Sequence, residues 1–210
     1  MNSLYRGAAG FARLSMWAAL LVLTAACERN NGSEYPVALT LAELENATYQ
    51  GFEGVIDSVT LTNGVWTGVP FEEGSSLTPR ITLVGGLHRT GDLDGDGDDE
   101  AVVLLHQEMG GSGTFAYLAV LDRHDGTLRN LATELLGDRV QLRRVSIEDR
   151  QLFADVVQAG PSDAACCPGK LVSHRWTLLP DGGLTAIAAP EVTGRLALAE
   201  FGELVWVLRS

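Results

Sequence analysis

Six carboxylates fall within the nine residues Asp92-Leu-Asp-Gly-Asp-Gly-Asp-Asp-Glu100, with two glycines among them and the apolar run Ala101 to Leu105 directly after. Negative charges packed this closely repel one another, and a hard cation that accepts several oxygens at once removes the repulsion. Calcium does this through ligands at alternate positions of a tight loop bent at a glycine. A register that starts at Asp92 places Asp92, Asp94 and Asp96 at positions 1, 3 and 5, Gly97 at position 6, the backbone carbonyl of Asp98 at position 7 and Glu100 at position 9. A register that starts at Asp94 puts Asp99 at the bend, where glycine is wanted, so the first is preferred. Residues 92–100 are therefore expected to bind Ca2+. The competing reading, an acidic turn that binds nothing, leaves the alternation of Asp and Gly unexplained.

Position 12 of this register is Val103, where an EF-hand carries a bidentate Glu, and the flanking residues read as strand rather than helix. The loop instead resembles the calcium loops of FG-GAP repeats, found in integrin propellers and related bacterial proteins, whose pattern D-x-[DN]-G-D-G-x-x-[DE] runs straight into a strand. That resemblance implies side-chain ligands at Asp92, Asp94, Asp96 and Glu100 and a carbonyl ligand at Asp98. A full propeller would need the loop repeated. Asp125-Gly126, Gly137-Asp138 and Asp181-Gly182 are bare turns without the ligand set.

The elements that must position the loop are mostly strands. Thr40-Leu-Ala-Glu43 has the spacing of a helix capping box and predicts a short helix to about Asn46. Val59 to Leu61 and Val65 to Thr67 flank Asn63-Gly64, which predicts a hairpin, and Arg80 to Val84 predicts the strand that leads through Gly85, Gly86 and His88 into the loop. Ala101 to Leu105, apolar throughout, predicts a central strand buried on both faces. Gly110 to Gly113 turns the chain into Phe115 to Leu121, its antiparallel partner, and Asp125-Gly126 turns it again. Thr127 to Leu136 reads equally as strand or helical turn. Val140 to Ile147 and Gln151 to Val157 predict a hairpin around Glu148-Asp-Arg150, and Leu171 to Leu179 and Leu184 to Ala188 another around Pro180 to Gly183. The fold class expected is mainly β, with α+β also open: an antiparallel sheet or meander with hairpins and one or two short helices, spanning residues 38–190.

Ahead of this domain, residues 1–26 have the layout of an export signal: Arg6 and Arg13 without acidic residues, an apolar core from Met16 to Leu23, then Thr24, Ala25 and Ala26 before Cys27. The ending resembles a bacterial lipobox, with Thr24 where that pattern prefers Leu, and implies lipidation of Cys27. An ordinary secretory signal and an uncleaved anchor are the alternatives. Residues 27–37 read as a polar tether, and the expected location is the bacterial cell envelope, periplasmic or outer surface, with the membrane engaged through the N-terminal lipid. Loss of the signal leaves 13 basic against 27 acidic residues, a net charge of −14 that excludes phosphate backbones as natural partners, so no nucleic acid is expected. With Cys27 lipidated, the adjacent Cys166 and Cys167 remain, open to a vicinal disulfide, a bridge to another molecule, or two thiols with a redox role. Residues 191–210 read either as a last strand or as the start of a truncated module, since Gly202 to Ser210 resembles the opening strand of a META domain.

Taken together, GDLDGDGDDEAVVLL, GGSGTFAYLAVL, LLGDRVQLRRVSIED and the Cys-Cys-Pro loop resemble, in that order, a group of uncharacterised secreted bacterial proteins and lipoproteins. The resemblance implies a β-rich fold and one calcium loop but no activity. No catalytic residue is assigned: Ser112 in G-G-S-G-T breaks the nucleophile-elbow pattern at Thr114, and His88, His106, His124 and His174 lack metal-ligand spacing. A combined site of His88 or His106 with the acidic loop is disfavoured, because a set of six oxygen donors selects a hard ion. The function expected is a non-catalytic calcium-binding envelope lipoprotein domain with a structural role or a protein or glycan partner. The rival is a metal-dependent envelope hydrolase or a cysteine-pair redox protein.

Overall fold

The computed structural model describes residues 38–189 except 56, 165 and 166. The expected export signal, Cys27, the expected tether, Cys166 and the segment 191–210 lie outside the described residues. In order, the elements are α1 (Leu41–Leu44), β1 (Thr48–Gln50), β2 (Ser58–Thr60), β3 (Val65–Thr67), β4 (Arg80–Gly91), β5 (Glu100–Glu108), β6 (Thr114–His124), β7 (Thr127–Asp138), β8 (Gln141–Glu148), β9 (Gln151–Gln158), β10 (Lys170–Leu178) and β11 (Leu184–Ala186). The protein is mainly β and antiparallel throughout, with sheets ordered β1-β2, β3-β4-β5-β6-β7 and β11-β10-β9-β8.

The five-stranded sheet is the middle layer. Side chains alternate across a strand, so Val102, Leu104, Leu118 and Val120 face one way and pack with Leu142, Val145, Leu152, Val156 and Trp176 of the four-stranded sheet. Ala101, Val103, Leu105, Tyr117, Ala119 and Leu121 face the other way and pack with Leu44, Tyr49, Phe52, Val59 and Leu61 of the N-terminal segment. Ala101 to Leu105 are all buried, as their unbroken apolar run predicts.

Most turns follow the local chemistry. The capping box forms, with Thr40 Oγ1 accepting from the Glu43 N–H at 3.3 Å and Glu43 Oε2 accepting from the Thr40 N–H at 2.9 Å. Asp125-Gly126 and Asp149-Arg150 adopt paired positive φ, the two-residue turns that suit the twist of antiparallel strands. Thr127–Asp138, undecided by pattern, is strand: it pairs with β6 along its length, and that ladder outweighs local propensity.

The Asn63-Gly64 hairpin needs correction. The turn itself forms, with φ 52 and 81 and reciprocal bonds between Thr62 and Val65. The flanking strands then part: β2 pairs with β1, whereas β3 pairs with β4 as the edge of the five-stranded sheet. A tight turn specifies two residues, and pairing beyond it is set by which sheet buries the apolar side chains. Strand β4 is also longer than predicted. Its register with β5 shifts between Leu83 and His88, a bulge that carries Gly85 and Gly86 and lets Val84 and Leu87 pack toward the second sheet.

A buried polar network ties the N-terminal layer to the sheet. Gln107, with no exposed surface, donates through Nε2 to the Glu53 carbonyl at 2.7 Å, and its Oε1 accepts from the Tyr117 hydroxyl at 2.8 Å. The same hydroxyl accepts from the Glu53 N–H at 3.3 Å, while Phe52 meets the Tyr117 ring edge-on at 5.1 Å. Tyr117→Phe keeps the ring but leaves the buried Gln107 amide oxygen and the Glu53 N–H without this partner, so it is expected to lower stability by about 1–3 kcal/mol. Urea unfolding should show a lower midpoint at unchanged slope.

Candidate metal centre

Residues 92–99 form the connection from β4 to β5, and Gly91 faces Glu100 across the ladder at its base. Carboxylate-to-backbone bonds shape the loop: Asp92 Oδ1 accepts from the Gly95 N–H, Asp94 Oδ1 from the Asp96 N–H at 3.0 Å and Asp96 Oδ1 from the Asp98 N–H at 2.8 Å. Gly97, at the bend of the expected register, has φ +98, which L side chains rarely adopt. Leu93 breaks the acidic run and is 2% exposed, a plug set into the core between the two large sheets.

Glu100 is the buried member, with 0% of its surface exposed. Its Oε2 accepts from the Leu93 N–H at 2.6 Å and the Asp94 N–H at 3.3 Å, whereas its Oε1 is buried without a hydrogen-bond partner. Burial pushes the Glu100 carboxyl up to about 7, against the opposing pull of the Leu93 N–H, with the charges of Asp94 and Asp96 adding to the rise. Asp94 is also raised, first by burial and then by the charges of Asp96 and Asp92.

One carboxylate oxygen from each of Asp92, Asp94 and Glu100 lies within 4.8 Å of the other two, so this cluster can hold a metal ion. Oxygens on one calcium ion sit about 2.3–2.6 Å from it, so opposite ligands are about 4.6–5.2 Å apart. Of the predicted ligands, these three are brought together. Asp96 is in the loop but outside that group, its Oδ1 engaged with the Asp98 N–H, and Asp98 and Asp99 are exposed.

The remaining candidates lie elsewhere. His88 pairs with Val103, and His106 with Thr82 and Ala116 several residues farther along β5, and neither belongs to the acidic group. Burial takes His106 down to about 4. Ser112 is exposed in the turn between β5 and β6, and Cys167 is exposed in the loop before β10. Sequence reading missed two residues. Leu93 had a local signal, an apolar side chain amid carboxylates; Arg150, whose side chain lies against Gly95 from the β8–β9 turn, had none.

No protein-family model, no curated protein and no solved structure matches the chain.

The raised Glu100 carboxyl has a stability consequence of definite sign. Between the usual value of 4.5 and about 7 the folded state keeps a proton that the unfolded chain has released, so Glu100 loses stability as pH rises through that window. His106 acts oppositely below its usual 6.5, so the contrast with Glu100→Gln isolates the effect. In chelator, the Gln variant is expected to gain on wild type by up to about 3 kcal/mol from pH 4.5 to 7.5. Denaturant unfolding at both pH values checks this, and a constant difference would contradict it.

Proposed function

We propose that this chain is a non-catalytic, calcium-binding domain of the bacterial cell envelope, anchored through lipid on Cys27, in which the ion serves structure and interaction rather than turnover. The observation that carries this reading is the gathering of one carboxylate oxygen from each of Asp92, Asp94 and the buried Glu100, a side chain whose Oε1 has no hydrogen-bond partner. A buried carboxylate with an unpaired oxygen is costly, and a cation at that oxygen offsets the cost and ionises the group. An all-oxygen donor set favours calcium over softer metals, and magnesium demands a stricter octahedron. Asp96 and the Asp98 carbonyl stand in the register to complete the shell.

The loop's position supports a structural role, because it joins the two strands that meet at the base of the buried β5. An interaction role is supported at the opposite end of that strand. There Val69, Phe71 and Leu77, exposed by 81%, 54% and 54%, cluster near a groove of about 660 Å3 that Trp66, Val69 and Phe71 line. Scattered exposed apolar residues are ordinary, but several together beside a groove suit a protein or glycan partner. The anchor rests on the signal layout of residues 1–26 and Cys27.

Calcium at about 100 times its dissociation constant is expected to stabilise the detergent-solubilised full-length protein by roughly 2.7 kcal/mol, a rise in Tm of about 5–10 °C. Glu100→Gln should abolish the rise and Asp94→Asn should reduce it. Identical Tm values in calcium and in chelator, with no heat of calcium binding by calorimetry, would sink the metal reading. For the anchor, Cys27→Ala should move the protein from the membrane fraction to the soluble fraction of its bacterial host, and an unchanged membrane fraction would argue for an uncleaved apolar anchor instead.

A further inference from the structure

The acidic loop is pressed against the second sheet by features that its own sequence does not contain. A Cβ built on Gly91 would meet Ile147 Cγ2 of β8 at 3.0 Å, so the end of β4 approaches β8 as closely as glycine allows. Leu93 then enters the core cluster to which Val145 and Leu152 belong and against which Ile147 packs. These contacts bring the next feature of that hairpin, the Asp149-Arg150 turn with φ 51 and 59, over the loop.

Arg150 reaches back from this turn to Gly95. A Cβ built there would lie 3.1 Å from Arg150 Cδ and 3.3 Å from its Cζ and would overlap Nη1. Arg150 belongs to none of the ion pairs among the described residues. The guanidinium is thus laid along the loop backbone, between the residues that carry the Asp94 and Asp96 carboxylates, instead of being latched to one of them.

We propose that Arg150 is a built-in counter-cation of the 92–100 loop, offsetting its carboxylates while no ion is bound and opposing the dication as it enters. This rests on the reading of the loop as a calcium site and adds what sets its affinity. One positive charge within about a Debye length of a dication, roughly 8–10 Å in moderate salt, weakens binding by about two- to tenfold. Arginine suits the task because its guanidinium is a delocalised, planar cation, and glycine at position 95 leaves room for it against the backbone.

Calorimetric calcium titration of the full-length wild type, Arg150→Gln and Arg150→Lys at low ionic strength tests the proposal. Arg150→Gln should bind calcium about two- to tenfold tighter, and Arg150→Lys should match wild type. In chelator, Arg150→Gln should melt about 1–2 °C below wild type, because the carboxylates lose their counter-charge. Equal affinities for wild type and Arg150→Gln overturn the proposal, and so does weaker binding by Arg150→Gln, which would make the arginine a scaffold for the loop. If wild type takes up no calcium at all, the metal reading fails separately, and the chelator comparison alone decides Arg150: equal Tm values overturn the counter-charge.

Discussion

Glu100 is a carboxylate placed at the first residue of a strand that is buried on both faces from Glu100 to Leu105, and much else in the molecule answers to that placement. Burying a charged group unpaired is among the most expensive things a fold can do. Two N–H groups, from Leu93 and Asp94, satisfy Oε2, and they can do so only because the loop folds back over the strand it leads into. The loop therefore owes its shape to the carboxylate as much as the carboxylate owes its position to the loop. The remaining oxygen, Oε1, is buried without a hydrogen-bond partner, and one oxygen of the same carboxylate lies within 4.8 Å of an oxygen of Asp92 and one of Asp94. A proton and a metal ion held by this cluster would compete for one buried group.

Such a site needs a rigid base, and the three layers provide it. With β5 and β6 packed on both faces, the start of β5 cannot shift without disturbing two cores at once. Among the described residues, the N-terminal layer contains one helical turn and two three-residue strands. It is held to the sheet by burial of Leu44, Tyr49 and Phe52 and by the Gln107, Tyr117 and Glu53 network. The two ends of β5 consequently differ in character. One carries the carboxylates, and the other lies near Trp66 and the exposed apolar side chains of the 69–77 loop.

Much of this was legible in the residues. The unbroken apolar run Ala101 to Leu105 announced a strand covered on both faces, and Phe115 to Leu121 its antiparallel partner. Asp125-Gly126 and Thr40 to Glu43 announced a turn and a cap. The strand character of Thr127–Asp138 was not legible, because its mixed pattern fits two periods and the ladder with β6 settles it. Asn63-Gly64 shows the limit most plainly: its turn forms as written, yet β2 and β3 belong to different sheets. Turn chemistry acts over four residues, while sheet membership depends on partners many residues away.

For the site, the chain alone determined that residues 92–100 are an oxygen-rich loop, that its bend falls at Gly97 and that a strand follows. These are consequences of charge spacing and of the conformations open to glycine, and both are local. Only the tertiary structure decided which carboxylate is dry, which three oxygens converge and that Leu93 is a core residue. It alone set Arg150 against Gly95, fifty-five positions earlier in the chain. Burial and convergence are properties of what surrounds a residue, and for Glu100 and Arg150 those surroundings come from strands whose meeting no local pattern encodes.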